Sequence, residues 1–239
     1  MSDAMKVIYI CFPEGKHKVL TMSYDDGKLA DRRLVSIFNH YGIKGTFHLN
    51  SGMHGPERIP SEEWKALYEG HEMSCHTVTH PTIARSPVEQ VAVQVLEDRR
   101  YIERIAGYPV RGLSYPNGSY NREIIELLPK LGIEYSRIVG NTDDFSMPEN
   151  YLAWEATCHH NHNLIENGKR FLELKKTQYM YMMYVWGHSY EFDRDNNWEL
   201  MEEFCEMMSG QEDIWYATNI QIVDYMKAAK NLRFTLDGD

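Results

Sequence analysis

The stretch Thr21-Met22-Ser23-Tyr24-Asp25-Asp26-Gly27 decides how this chain is read. It closes a β-type run that begins at Lys18, and its threonine, β-branched and aromatic content suits a strand. Two adjacent carboxylates stand at the end of that run. Buried together they would repel, and neither packs a core. Alone, Asp-Asp-Gly is also an ordinary polar turn, because Asp-Gly is a common turn pair. The rest of the chain weighs against the turn.

Outward from this stretch, strand-like and helix-like segments alternate. Leu29 to Tyr41 carries Leu34, Ile37 and Phe38 at helical spacing, and Gly42 stops it. Gly45 to Leu49 is the next strand. Ser61 is expected to cap a helix through Tyr68. Glu72 to Cys75 is a short strand running into His76. Ser86-Pro87-Val88-Glu89 predicts a helix start with Ser at N-cap, Pro at N1 and Glu at N3, running to about Ile105. Arg111 to Tyr115 is strand-like and ends in the turn Pro116-Asn117-Gly118. Asn121 caps a helix to Leu131. Tyr135 to Val139 and Trp154 to Thr157 are strand candidates, and Leu164 to Leu174 is helical. Tyr179 to Trp186 is a continuous apolar run, expected for a strand buried on both faces. Trp198 to Met208 is helical, Ile214 to Ala217 is the last strand, and Thr218-Asn219-Ile220-Gln221 caps a helix to Ala229.

About seven strand-then-helix units imply parallel strands with helices outside them. Residues 1–239 are read as a single α/β domain. Polar and titratable residues recur just after strands: Asp25, Asp26, His76, Asn117, His159 and His188. In parallel α/β folds the site lies at the carboxyl ends of the strands, so the pattern predicts one catalytic mouth.

Composition narrows the partners. The 239 residues carry a formal net charge of −10 and 43% hydrophobic residues. That balance argues against nucleic acid or an anionic membrane as the main partner. The four cysteines, Cys11, Cys75, Cys158 and Cys205, form no CxxC pair and are expected as reduced thiols. Val7 to Phe12 is too short for a signal core, and no segment approaches a membrane span. A cytoplasmic protein is the expectation.

His76-Thr77-Val78-Thr79-His80 places two imidazoles four residues apart. On a helical turn they would share one face and suit a single ion. Read alone, the segment is equally a histidine-rich surface turn. Joined with Asp26, it becomes two histidines and one carboxylate. Three protein ligands leave positions open for water and substrate, as catalytic ions require.

Tyr24-Asp25-Asp26-Gly27, His76-Thr77-Val78-Thr79-His80, Tyr115-Pro116-Asn117-Gly118 and the late His188 resemble, in order, the motifs of the polysaccharide deacetylases. These are the NodB-homology proteins, carbohydrate esterase family 4. The resemblance runs from about Val19 to Ala229. It implies a distorted (β/α) barrel, in agreement with the strand count. It also implies hydrolytic removal of acetyl groups from N-acetylated (or O-acetylated) carbohydrate. Asp26, His76 and His80 would hold one divalent ion, zinc first and cobalt or nickel next. Asp25 would be the general base and His188 the general acid. The N–H of Tyr115 would help hold the oxyanion, and Pro116, Asn117 and Trp186 would contact substrate.

The chemistry is consistent with those roles. An amide carbon is a poor electrophile, so an ion is needed to polarise its oxygen and acidify water. An amine leaves poorly unless protonated. Two departures from the family stand out. The position usually held by a base-tethering arginine is Ser114, with Arg111 nearby and read as a surface residue. The acid-plus-tryptophan motif has only Asp143 or Asp144 with Trp154 to fill it. Cys158-His159-His160-Asn161-His162 has no counterpart and lacks the spacing of a standard finger. It is read as lining the mouth rather than as a second metal site. Trp186, Tyr190 and Trp64 are candidates for stacking on a sugar, with packing as the alternative for each. Other readings are the same site acting on a small non-sugar amide, and a non-catalytic carbohydrate binder. The second is disfavoured because binding alone needs neither Asp25 nor His188.

Overall fold

Strand β1 (Lys18–Asp25) is buried along its whole length. In this computed structural model, which describes residues 7–234, it is the centre of an all-parallel sheet. Parallel strands buried on both faces read as near-continuous apolar runs, and β1 and β7 (Tyr181–Gly187) do so side by side. The remaining strands are β2 (Gly45–Leu49), β3 (Glu72–Cys75), β4 (Gly112–Ser114), β5 (Tyr135–Arg137), β6 (Cys158–His159) and β8 (Ile214–Tyr216). Seven of them follow the order β5-β4-β3-β2-β1-β7-β6. Short β8 pairs only with the start of β1, from Lys18 to Leu20, while β2 pairs with its end, from Met22 to Asp25.

The sheet curls until its edges nearly meet. An isolated parallel bridge joins Arg137 to Trp154, with Trp154 N–H on the Ser136 carbonyl and Ile138 N–H on the Trp154 carbonyl. The chain then runs on into β6. The fold is therefore the expected distorted (β/α) barrel. The strand foreseen at Trp154 to Thr157 is corrected: Trp154 makes a single bridge, and the strand lies at Cys158–His159.

The helices wrap the outside: α1 (Asp31–Tyr41), α2 (Ser61–Leu67), α3 (Val88–Ala106), α4 (Arg122–Leu127), α5 (Leu164–Glu173), α6 (Tyr190–Asp195), α7 (Trp198–Met208) and α8 (Asn219–Lys230). Leu34, Val35, Ile37 and Phe38 are the buried face of α1, as their spacing predicts. Asn121 caps α4 by accepting the Ile124 N–H, and Thr218 with Gln221 forms a capping box on α8. Two expected caps are absent. Pro60 and Pro87 occupy the N-cap positions of α2 and α3, with no side-chain cap bond. Ser61 instead accepts a hydrogen bond from Tyr101. Helix α6 has too few residues to show a helical period and was not foreseen. No described helix is long and apolar enough to cross a membrane. The four cysteines are unpaired.

Candidate metal centre and active site

Asp25 ends β1 and Asp26 begins the turn after it. Asp26 has φ +83°, a left-handed conformation that non-glycine residues rarely adopt. That turn sends the two neighbouring carboxylates in different directions. The conformation is held from outside: Arg58 donates to the Asp26 carbonyl and to Asn50 Oδ1. Asn50 in turn donates to the carbonyls of His76 and Thr77. One arginine–asparagine pair thus ties the β1 turn to the loop after β3.

That loop, not a helix, brings the two histidines together. Residues 76–80 have no helical turn, and both Thr77 (φ +67°) and His80 (φ +54°) are left-handed. The helical arrangement expected for this segment is therefore corrected. The two rings still meet, with centroids 4.6 Å apart. Ligand atoms of Asp26, His76 and His80 all lie within 4.8 Å of one another. Non-glycine residues in such backbone conformations cluster at functional sites. Asp98 of α3 pins the start of the loop, accepting the N–H groups of Ser51 and His76.

The donor set fits a divalent ion. The Nδ1 of His76 lies 2.9 Å from the Ser114 carbonyl, which fixes the proton on that nitrogen. Its Nε2 is buried and has no hydrogen-bond partner among the described residues. An orphaned imidazole nitrogen facing a carboxylate and a second histidine is what a zinc-class ion would satisfy.

Asp25 is built differently. It is buried, accepts from Ser114 Oγ at 3.0 Å, and is ion-paired with Arg137 at the end of β5. Burial would push its carboxyl up, but the Arg137 guanidinium and neighbouring histidines outweigh burial and hold it well below the usual carboxylate range. Arg137 is itself fully buried. It donates to Ser23 Oγ and lies over the Trp186 ring at 4.5 Å. Arg137 tethers Asp25, a contact that sequence reading did not find. The only available signal was an arginine closing a strand whose neighbours point inward. Arg111 pairs at the surface with Asp224 and Glu134, as expected.

His188, just after β7, has Glu191 as its partner, with Nδ1 3.4 Å from Glu191 Oε2. Burial would lower the pKa of His188, but Glu191 together with the charges of Asp25 and Asp26 raises it. Glu191 is held below the usual carboxylate range despite its burial, chiefly through His159 and His188. The neighbouring Ser189 is tied to Asp31, the first residue of α1, at 2.5 Å. The His188 loop is thereby anchored to the helix that follows the Asp26 turn. Neither Asp143 nor Asp144 plays Glu191's part. Asp143 pairs with His162 and Asn167, and Asp144 caps its own loop. Glu191 was missed because it lies on the unforeseen α6.

Three other expectations change. The Tyr115 N–H is committed to the Arg137 carbonyl at 3.0 Å and its hydroxyl to the Leu152 carbonyl, so it has no free donor for an oxyanion. Trp186 is buried, covered by Arg137, edged by His159 and bonded to the Gly140 carbonyl. It packs rather than stacks on substrate. Trp64 is likewise buried and donates to the Ile59 carbonyl. Pro116 is buried, and Asn117 holds the left-handed turn position while donating to Thr82 Oγ1. Of the aromatic candidates, Tyr190 alone reaches the mouth. It lines a groove of about 500 Å³ with Asp26, Lys28, Leu29, Glu57 and Asp193.

Fold and site together define a class. The model of the family described as "Polysaccharide deacetylase" matches residues 12–136, just over half of the chain, and the chain belongs to that family. The peptidoglycan-N-acetylglucosamine deacetylase of Bacillus cereus is 26% identical over 116 residues, which are 48% of this chain and 40% of that protein. The chitooligosaccharide deacetylase of Azorhizobium caulinodans is 26% identical over 127 residues, 53% of this chain and 55% of that protein. The matches cover between 23% and 55% of the length of the curated relatives. A solved chain from Mycobacterium smegmatis, described among the polysaccharide deacetylases, has a TM-score of 0.70 at 16% identity over 98% of both chains. That likeness shows the shared barrel.

Proposed function

We propose that this protein is a divalent-metal-dependent hydrolase that removes acetyl groups from N-acetylated carbohydrate. It would act on carbon–nitrogen bonds other than peptide bonds. The observation that carries the reading is the convergence of Asp26, His76 and His80 around the orphaned His76 Nε2, beside an ionised Asp25. Asp26, His76 and His80 would hold the ion, with zinc first among the candidates and cobalt or nickel next. Such an ion, when bound, polarises the acetyl carbonyl and makes water more acidic.

The chain's own residues do the rest. Asp25 accepts the proton of the attacking water. Arg137 and Ser114 fix its two oxygens, so it is ionised and oriented before substrate arrives. His188 donates the proton that lets the amine leave. Glu191 and the charges of Asp25 and Asp26 raise its pKa against burial, which favours the protonated form a general acid needs. Tyr190 offers an aromatic face in the groove beside Asp26.

The test is acetate release from N-acetylated glucosamine oligomers, peptidoglycan fragments, O-acetylated sugars and small non-sugar amides, before and after chelation and zinc restoration. Zinc-dependent release from the N-acetylated sugars supports the proposal. Turnover confined to the small amides moves the substrate to that class. Turnover unaffected by chelation contradicts the metal.

A further inference from the structure

A second group of ligand-type side chains lies apart from the triad. It draws on part of the Cys158–His162 run, which the proposed reaction leaves unused. His159 and His162 part company: His162 turns to Asp143 at 2.9 Å, while His159 Nε2 meets Glu191 Oε2 at 2.9 Å. His160 Nε2 lies 3.4 Å from the same oxygen. The ligand atoms of His159, His160 and Glu191 all fall within 4.8 Å of one another.

His160 is the unusual member. Its side chain is fully buried, and neither ring nitrogen has a hydrogen-bond partner among the described residues. Leaving a buried polar group unsatisfied is destabilising. The ring cannot easily turn away from Glu191. It stacks on Phe192 at 4.1 Å and Tyr24 at 5.8 Å, and it sits so close to Gly187 that a Cβ there would overlap it. A rigid, unsatisfied imidazole beside a carboxylate and a second imidazole is a donor with no acceptor or ion to serve among the described residues.

We propose that His159, His160 and Glu191 form a second divalent-metal site of the zinc, cobalt or nickel class. Two nitrogens and one carboxylate suit those ions, whereas calcium and magnesium would want oxygen alone. Loading requires one rearrangement. His159 Nδ1 now accepts the Asn161 N–H at 3.1 Å, so its proton is on Nε2. That proton must move to Nδ1, and the exposed Asn161 N–H must turn to solvent. The oxygen the ion takes is also the one His188 Nδ1 faces, so the second site borders the catalytic mouth without sharing a ligand with the triad.

The test counts ions and needs no turnover, so it stands apart from the proposed reaction. Zinc bound after dialysis is measured by mass spectrometry, with cobalt absorption as a second probe. The variants are His76→Ala/His80→Ala, His159→Ala and Glu191→Gln; the last two leave the buried His160 ring in place, and Glu191→Gln keeps the shape of the buried carboxyl group. Two ions in the unaltered protein, one in each of the three variants, and none when the first is combined with Glu191→Gln bear the inference out. One ion in the unaltered protein and none in His76→Ala/His80→Ala overturns it, as does an unchanged count in both His159→Ala and Glu191→Gln. A count that His76→Ala/His80→Ala does not lower would contradict the triad instead, leaving the second site to the other two variants.

Discussion

Asp25 faces Arg137 and Ser114 inside the barrel, whereas Asp26 turns into the triad with Arg58 3.9 Å from one of its oxygens. The left-handed turn at Asp26 separates them, and nothing in the two letters foretells it. The pair itself was legible, because two carboxylates at a strand end have no packing reason to be there. Arg137 was not legible, since its partner lies 112 residues away in sequence and only the barrel's curl brings them together. Replacing it by methionine would leave Asp25 buried and unpaired, and stability should fall by about 3–5 kcal/mol in urea unfolding. Arg137→Lys keeps a charge but loses the planar fork. It should fold and bind zinc while acetate release falls by roughly 10–100-fold, part of the worth of a positioned base. Unchanged release in Arg137→Lys would mean that the arginine serves the fold alone.

Among the elements, the long and strongly patterned ones were the readable ones. Helix α7 begins and ends where its apolar spacing predicts, and β7 lies on its unbroken apolar run, starting two residues later, at Tyr181, and ending one later, at Gly187. The short ones were not readable. Strand β6 has two residues and α6 has six, too few for a period to show. Those two carry His159 and Glu191, so the environment of His188 was hidden with them. The loop after β3 deceived in another way: four-residue spacing suggested a helical turn, but two left-handed residues and the Asn50 and Asp98 anchors achieve the same meeting of rings. Strand β7 allows a separate check. Gly187→Ala drives a methyl into the His160 ring. It should cost about 1–3 kcal/mol as overpacking. A melting temperature equal to that of the unaltered protein would show that His160 has room to move.

At the scale of the molecule, the barrel interior holds Glu72, which accepts from Tyr135 OH at 2.7 Å, Thr46 Oγ1 at 3.0 Å and the Ile220 N–H at 2.9 Å. Burial raises its pKa to about 7 despite those donors. A carboxyl whose folded value lies above its unfolded one contributes stability that is complete below about pH 4.5 and lost as pH rises through about 7. The melting temperature should therefore fall between pH 5 and 8. Glu72→Gln, which resembles the protonated form, should flatten that fall; an unaltered slope would assign the pH dependence elsewhere. The general architecture was legible because alternating strand and helix patterns leave few topologies. Its purpose is to gather residues from separate strand ends into one mouth. The most direct test of that claim compares two adjacent substitutions, with bound metal and acetate release measured together. Asp26→Asn should lose the triad's ion, because an amide is a poorer ligand than a carboxylate beside a dication. Asp25→Asn should keep the ion and lose turnover by roughly 10²–10⁴-fold. If Asp25→Asn loses the metal while Asp26→Asn keeps both metal and activity, the two roles are reversed and the account is contradicted.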